Sequence, residues 1–245
     1  MNAKPQAATL RTIHNPRSTA DYPLRPMKLA YSSNAYTNFS VEEMIYFSHF
    51  FGYGGLELLA DVPHAWPAGL LEERKQAIRD CLAEHNLRIS NVNAFMMNAV
   101  ADPRQPYWHP SWIEPDPNYR AIRREHTRRA LRLAAELGAP SIQTEPGGPL
   151  EPGQSWAEAA GIFYEQLMPC VEVAQQQGVS LLIEPEPGLL IETFEQYLEF
   201  AARVDSPWVG LNFDIGHAFC TGQEPHERVP RMQEHTRHYH VEDIA

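Results

Sequence analysis

From Met27 onward, short apolar runs alternate with longer segments whose apolar residues recur every third or fourth position. Runs of the first kind suit buried strands and segments of the second kind suit amphipathic helices. Their alternation predicts a parallel sheet with helices on its outside. Seven strands are expected, near residues 27–32, 55–60, 88–95, 139–145, 179–184, 209–214 and 237–242. The helical stripes between them include Phe163, Leu167, Cys170, Val171 and Ala174, and further on Phe194, Tyr197, Leu198, Ala201 and Ala202. Gly178, and likewise Gly138 after Ala130, Leu131, Ala134 and Leu137, stands where a helix needs a left-handed C-terminal residue before the next strand. Residues 1–25 show neither period and read as an irregular leader, which leaves 26–245 as one barrel domain. The expected architecture is a (β/α)8 TIM barrel.

Side chains alternate across a strand, so parity separates the barrel interior from the helix-facing side. On the fifth strand Leu182 and Glu184 share one parity, and on the sixth Asn212 and Asp214 stand opposite to Val209, Leu211 and Phe213. On the seventh, His238 and His240 face in while Tyr239 and Val241 face out. The same rule turns Glu57 inward on the second strand and Asn91 and Asn93 inward on the third, and it pairs Gln143 with Glu145 on the fourth.

The strand ends where such a barrel keeps its active site thus collect Glu57, Glu145, Glu184, Asp214, His217 and His240, with no Lys or Arg among them. Like charges gathered in one pocket call for a counter-charge, since desolvation and repulsion otherwise destabilise the fold. A divalent cation on Glu184, Asp214 and His240 meets that need. Carboxylates with one imidazole suit Mn²⁺, Co²⁺ or Mg²⁺, with Zn²⁺ also compatible. Glu57 reads as a ligand or a hydrogen-bonded pocket residue, and Glu145 as a ligand or as the residue that orients Pro146-Gly147-Gly148. Glu186, beyond Pro185, suits substrate contact. His64 suits either substrate contact or a loop hydrogen bond. His14, His49, His85, His126, His226 and His235 read as surface histidines. The long segment 96–118, with Pro106, Tyr107, Trp108, His109 and Trp112, exceeds a simple connection and suits a functional loop. Trp108 and Trp112 would cap a sugar-sized pocket, pack on each other, or meet a neighbouring subunit.

Composition narrows the partners. Acidic residues (31) exceed basic ones (20), for a net charge of −11, which disfavours a nucleic-acid surface. Cys81, Cys170 and Cys220 form no metal or disulfide pattern, and no apolar stretch is long enough for a secretion signal or a membrane span. A cytoplasmic enzyme for a small polar substrate is the expectation. No phosphate-binding Walker loop, nucleophile elbow or dinucleotide fingerprint is present.

The motifs Leu-Leu-Ile-Glu-Pro at 181–185, Phe-Asp-Ile-Gly-His at 213–217 and His-Tyr-His-Val-Glu-Asp at 238–243 resemble those of the xylose isomerase-like barrels, over residues 27–245. That family holds sugar isomerases, ketose 3-epimerases, inosose dehydratases and the endonuclease IV branch. The resemblance implies that Glu184, Asp214 and His240 bind a divalent metal, that Glu184 is also the acid/base, and that His217 contacts substrate; Glu186, Glu57, His64, Asn93 and Glu145 are the further residues expected, from their placement, to line the substrate site. The implied reaction is isomerisation or epimerisation of a sugar or sugar phosphate through removal of a proton α to a carbonyl and an ene-diolate. A dehydratase of inosose type on the same site and a non-catalytic truncated barrel are the alternatives, while the charge opposes a nuclease. A further Glu on an eighth strand normally completes this site, and the sequence ends at Ala245, so a barrel lacking its eighth βα unit is expected. Its open edges would invite a partner, including a second copy in a homo-oligomer.

Overall fold

The structure is a computed structural model that describes residues 27–96 and 108–242. The leader expected over 1–25, with His14, and Pro106 and Tyr107 of the long loop lie outside the described residues. Seven parallel strands form one sheet in chain order: β1 (Ala30–Ser32), β2 (Gly55–Leu59), β3 (Arg88–Asn93), β4 (Ser141–Thr144), β5 (Ser180–Ile183), β6 (Val209–Asp214) and β7 (Thr236–His240). Helices α1 (Val41–Phe50), α2 (Glu72–Glu84), α3 (Pro117–Leu137), α4 (Trp156–Gln177) and α5 (Phe194–Val204) alternate with the strands, and α6 (Ile215–Cys220) and α7 (Pro225–Met232) both precede β7. The sheet curls until β7 meets β2, with His240 Nε2 2.9 Å from Glu57 Oε2. Among the described residues β1 and β7 each pair on one side only, as in a TIM barrel without its eighth unit.

Local chemistry sets the helix ends. Ser40 with Glu43, Ser155 with Glu158, and Thr193 with Gln196 form reciprocal capping boxes that satisfy the first free N–H groups of α1, α4 and α5. Helices α3 and α4 end at Gly138 and Gly178, whose φ values of 75° and 68° are left-handed as the sequence predicts. The stripe Phe163, Leu167, Cys170, Val171 and Ala174 is buried against the sheet. The α5 stripe differs from expectation. Phe194, Tyr197, Phe200 and Val204 face inward, and Leu198 is left exposed. Phe200 takes the inner position because its ring stacks on Phe163 of α4, with centroids 4.5 Å apart.

Two β-bulges decide which residues face the interior. Ile89 pairs with Leu56 but Asn91 pairs with Glu57, leaving Ser90 as the extra residue. Ile89 and Val92, of opposite parity, therefore both pack in the helix-facing core. On β7, Thr236 pairs with Leu211 but His238 pairs with Asn212 and His240 with Asp214, so Arg237 is the extra residue. Continued pairing without the bulge would set Arg237 opposite Asn212. Instead the guanidinium leaves the sheet to donate to the Pro207 carbonyl at 2.7 Å.

Where β2 meets β3 the backbones leave no room for a side chain. A Cβ on Gly55 would sit 2.6 Å from the Arg88 carbonyl oxygen, an atom that cannot swing aside. Gly55→Ala is expected to destabilise the fold by about 1–3 kcal/mol, the usual range for overpacking. The check is the urea midpoint, which falls at unchanged m-value if the close approach matters and stays put if it does not.

Candidate active site

Ser32, Glu57, Asn91, Gln143, Asn212 and His240 come from six different strands and hydrogen-bond to one another, or through one another, inside the curled sheet. Glu57 accepts from Ser32 Oγ at 2.8 Å on Oε1, and from Asn91 Nδ2 at 2.9 Å on Oε2. Asn91 in turn accepts from Ser141 Oγ at 2.7 Å and donates to Gln143 Oε1 at 2.5 Å. Gln143 donates through Nε2 to Glu184 Oε2 at 2.9 Å, and Asn212 donates to Gln143 Oε1 at 3.2 Å. These neutral amides orient the carboxylates without neutralising them.

Glu184 and Asp214 are buried where β5 and β6 end. Glu184 follows the strand directly, and Asp214 is held as the cap of α6, its Oδ1 accepting from the His217 N–H at 2.8 Å. His240 projects from β7 between them and β2. Its Nδ1 lies 2.6 Å from Glu184 Oε1 and 3.7 Å from Asp214 Oδ2, while Nε2 lies 2.9 Å from Glu57 Oε2. The structure thus brings together Glu184, Asp214 and His240. Among the described residues two separate groups have donor atoms close enough for one ion: Glu184, Asp214 and His217, and Glu57, His238 and His240.

Electrostatics follow from this arrangement. No Lys or Arg lies within ion-pair distance of Glu57, Glu184 or Asp214 among the described residues, and imidazoles are the basic groups beside them. Burial works against a charged His240, but Glu57 and Glu184 outweigh it and hold the ring's pKa well above the ordinary histidine value. Burial likewise opposes ionisation of Glu57, and His240 and His238 overcome it, keeping that carboxyl well below the usual range. Asp214 has less help. Burial first and the Glu184 charge second push its pKa up to about 6. His217 is disfavoured as a cation by burial and favoured more strongly by Asp214, Glu184, Glu186 and Glu242, for a net rise.

Of the other expected site residues, Glu186 is buried with Oε1 3.9 Å from His217 Nε2, and Glu242 stands 3.6 Å from the same nitrogen. Glu145 follows its loop-orienting alternative: its oxygens accept from Trp112 N–H at 3.0 Å and Gly147 N–H at 2.6 Å, with Arg123 Nε at 3.8 Å. Burial raises its pKa to about 7. His64 Nε2 donates to the Phe39 carbonyl at 3.0 Å, and Asn93 Oδ1 accepts from Phe95 N–H at 3.0 Å, shaping the exit from β3. Trp112 neither caps a pocket nor meets Trp108. It lies in the core 5.5 Å from Phe163, with Nε1 donating to Thr144 Oγ1 at 3.0 Å.

Sequence reasoning missed Ser32, Arg123 and the part played by His238. His238 was legible by parity, since it shares the side of His240, whereas Ser32 enters through its pairing with Glu57. Arg123 is fully buried and its guanidinium donates to carbonyls distant in sequence, those of Pro110 at 2.7 Å, Ala94 at 3.2 Å and Trp108 at 3.5 Å. His126 corrects the surface assignment. It is buried, stacks on Trp66 with centroids 5.0 Å apart, and donates to the Ala94 carbonyl at 3.1 Å. A histidine that packs as an aromatic on the inner face of a helix looks no different in sequence from a solvated one.

The fold and the convergent carboxylate and imidazole groups define a barrel protein with a polar site at the C-terminal ends of its strands. Residues 47–245 match the family of xylose isomerase-like TIM barrels, and the chain belongs to that family. Among curated relatives, an uncharacterized protein of Methanocaldococcus jannaschii is 33% identical over 113 residues, covering 44% of this chain and 38% of the relative. A 3-dehydroshikimate dehydratase of Bacillus anthracis is 28% identical over 74 residues, 30% of this chain and 26% of the relative. The matches thus span well under half the length of either curated relative. Among solved structures, a D-tagatose 3-epimerase-like protein superposes with TM-score 0.72 at 24% identity, covering 89% of this chain and 76% of its own. A 3-keto-D-glucoside 4-epimerase of E. coli gives 0.72 at 15% identity, with 89% and 80% covered. A barrel of this type from Mycobacterium smegmatis, solved in complex with magnesium, gives 0.66 at 16% identity, with 88% and 74% covered. No helix among the described residues is long and apolar enough to cross a membrane.

Burial and the nearby Arg123 push the His126 pKa down to about 3. A histidine depressed in the folded state contributes stability that is full above its unfolded pKa of about 6.5 and is lost as pH falls through the interval below it. The loss approaches about 1.4 kcal/mol per pH unit. His126→Gln keeps a donor for Ala94 and removes the titration, so unfolding free energies at pH 7, 6 and 5 should fall less steeply than in wild type. Parallel profiles for the two proteins would contradict the assignment.

Proposed function

We propose that the chain is a divalent-metal-dependent isomerase or epimerase of a sugar or sugar phosphate, with Glu184, Asp214 and His240 as the metal-binding residues. The observation that carries this reading is the meeting of three ionisable side chains at the ends of β5, β6 and β7, with no Lys or Arg within ion-pair distance of Glu184 or Asp214 among the described residues. Two carboxylates and an imidazole fit a divalent ion, with Mn²⁺, Co²⁺, Mg²⁺ and Zn²⁺ all compatible with such donors. When bound, the cation supplies Lewis-acid polarisation of a substrate carbonyl and a positive charge against developing negative charge.

The remaining steps belong to the chain. Gln143 donates to Glu184 Oε2 at 2.9 Å and so orients the carboxylate that would take the proton α to the carbonyl. His217, anchored through Nδ1 to the Pro185 carbonyl at 3.2 Å, directs Nε2 toward Glu186 and Glu242, where it can contact substrate hydroxyls. Proton abstraction next to a carbonyl serves a second reaction equally well. Loss of a β-hydroxyl would make the protein a dehydratase, a reading supported by the Bacillus anthracis relative.

Calorimetric titration with Mn²⁺ and Co²⁺ is expected to show one-to-one binding in wild type and none in Asp214→Asn, because the lost charge removes a ligand. Unchanged affinity in that variant would sink the metal assignment. His217→Ala should keep metal binding while lowering turnover by about 10²-fold or more, in the range typical of lost acid–base or contact groups. Incorporation of deuterium at the α carbon of a ketose in D₂O reports isomerase chemistry. An enone product reports dehydration, and metal binding without exchange at any ketose or polyol ketone would reject both.

A further inference from the structure

We propose that Glu57 is the positioning residue for His240, accepting the Nε2 proton so that the Nδ1 lone pair is aimed between Glu184 and Asp214. The inference rests on the reading of Glu184, Asp214 and His240 as the metal site, and it assigns a task to a residue outside that trio.

The geometry separates the two ring nitrogens. Nε2 has Glu57 Oε2 at 2.9 Å, whereas Nδ1 has Glu184 Oε1 at 2.6 Å and Asp214 Oδ2 at 3.7 Å. Both nitrogens thus face carboxylates, which can only accept; once a cation takes the Nδ1 lone pair in place of the Glu184 contact, the single proton of the neutral ring stays on Nε2, where Glu57 holds it. Ring nitrogens opposite a metal are commonly fixed by a carboxylate in this way.

Glu57 is itself immobilised for the task. Ser32 Oγ holds Oε1 at 2.8 Å and Asn91 Nδ2 holds Oε2 at 2.9 Å, so the carboxylate is pinned from β1 and β3 while it reaches β7. With its lone pairs committed to Ser32, Asn91 and His240, it is better placed to orient a ligand than to be one. His238 Nε2 lies 3.4 Å from the same Oε2, farther than His240 Nε2. The Asn212 amide lies 3.2 Å from Nδ1 and limits how far the ring can rotate.

Glu57 also ties β2 to β7, so loss of stability alone would not distinguish orientation from structural support. The test therefore reads the tautomer. Zinc, which is diamagnetic, is titrated into the full chain carrying ¹⁵N-labelled histidine, with affinity by calorimetry and ring protonation by long-range ¹H–¹⁵N correlation. Zinc-loaded wild type should show His240 protonated at Nε2 and metal-shifted at Nδ1. Glu57→Ala should weaken zinc binding by about 10- to 100-fold, the usual cost of losing such a partner, and blur the tautomer. Glu57→Gln retains an acceptor oxygen, so it should recover most of the affinity and the Nε2–H form. It also keeps the test decisive if Glu57→Ala does not fold.

Zinc bound as tightly in Glu57→Ala, or a wild-type spectrum with the proton on Nδ1 and the metal on Nε2, would overturn the inference. If zinc binding survives Asp214→Asn, or is absent in wild type, the metal-site reading itself fails and the role of Glu57 falls with it. Loss of binding in Asp214→Asn but not in Glu57→Ala removes only the present inference.

Discussion

The interior of the curled sheet must accommodate several buried carboxylates at once, and the other features of the site answer that constraint. An uncompensated buried carboxylate costs several kcal/mol. Glu57 and Glu184 share the His240 ring between them, and each is further held by an amide from a neighbouring strand. Asp214 gains a backbone N–H by serving as the cap of α6. Each solution draws on a different strand, so the charged layer forms only when the sheet has curled far enough to bring β7 against β2.

That dependence explains the division of the fold into two chemistries. On the outer side, Leu56, Leu58, Leu181, Ile183, Leu211 and Phe213 give the helices an apolar surface of conventional kind. On the inner side, neutral amides and hydroxyls form a hydrogen-bonded lattice that leaves few donors and acceptors unsatisfied. Asn212 Oδ1 is an exception, buried without a partner in a layer otherwise closely paired. Apolar burial supplies the stability, and the polar lattice supplies orientation.

Much of this was legible in the sequence because the strands obey a period of two. Parity alone placed Glu57, Asn91, Gln143, Glu184, Asn212, Asp214 and His240 on one side, and the glycine ends of α3 and α4 followed from the need for a left-handed residue. Other features had no local signature. The exposure of Leu198 depends on a ring from another helix occupying the inner position. His126 and Arg123 are buried by loop carbonyls far away in sequence, and Glu145 bonds to Trp112 through a fold-dependent approach. The extra residues at Ser90 and Arg237 are visible only once the partner strand supplies a register.

The bulge at Arg237 also means that the chemical identity of β7 is a matter of phase. The strand carries two interleaved sets of side chains, one with a guanidinium and a phenol and the other with two imidazoles. A single out-of-step residue selects which set is presented to Asn212 and Asp214. Were the bulge ironed out with every residue kept, Arg237 would stand opposite Asn212, and a histidine-lined interior would become one holding a fixed cation without a change to either histidine. In this part of the chain, register therefore sets the charge of the candidate site as directly as side-chain identity does.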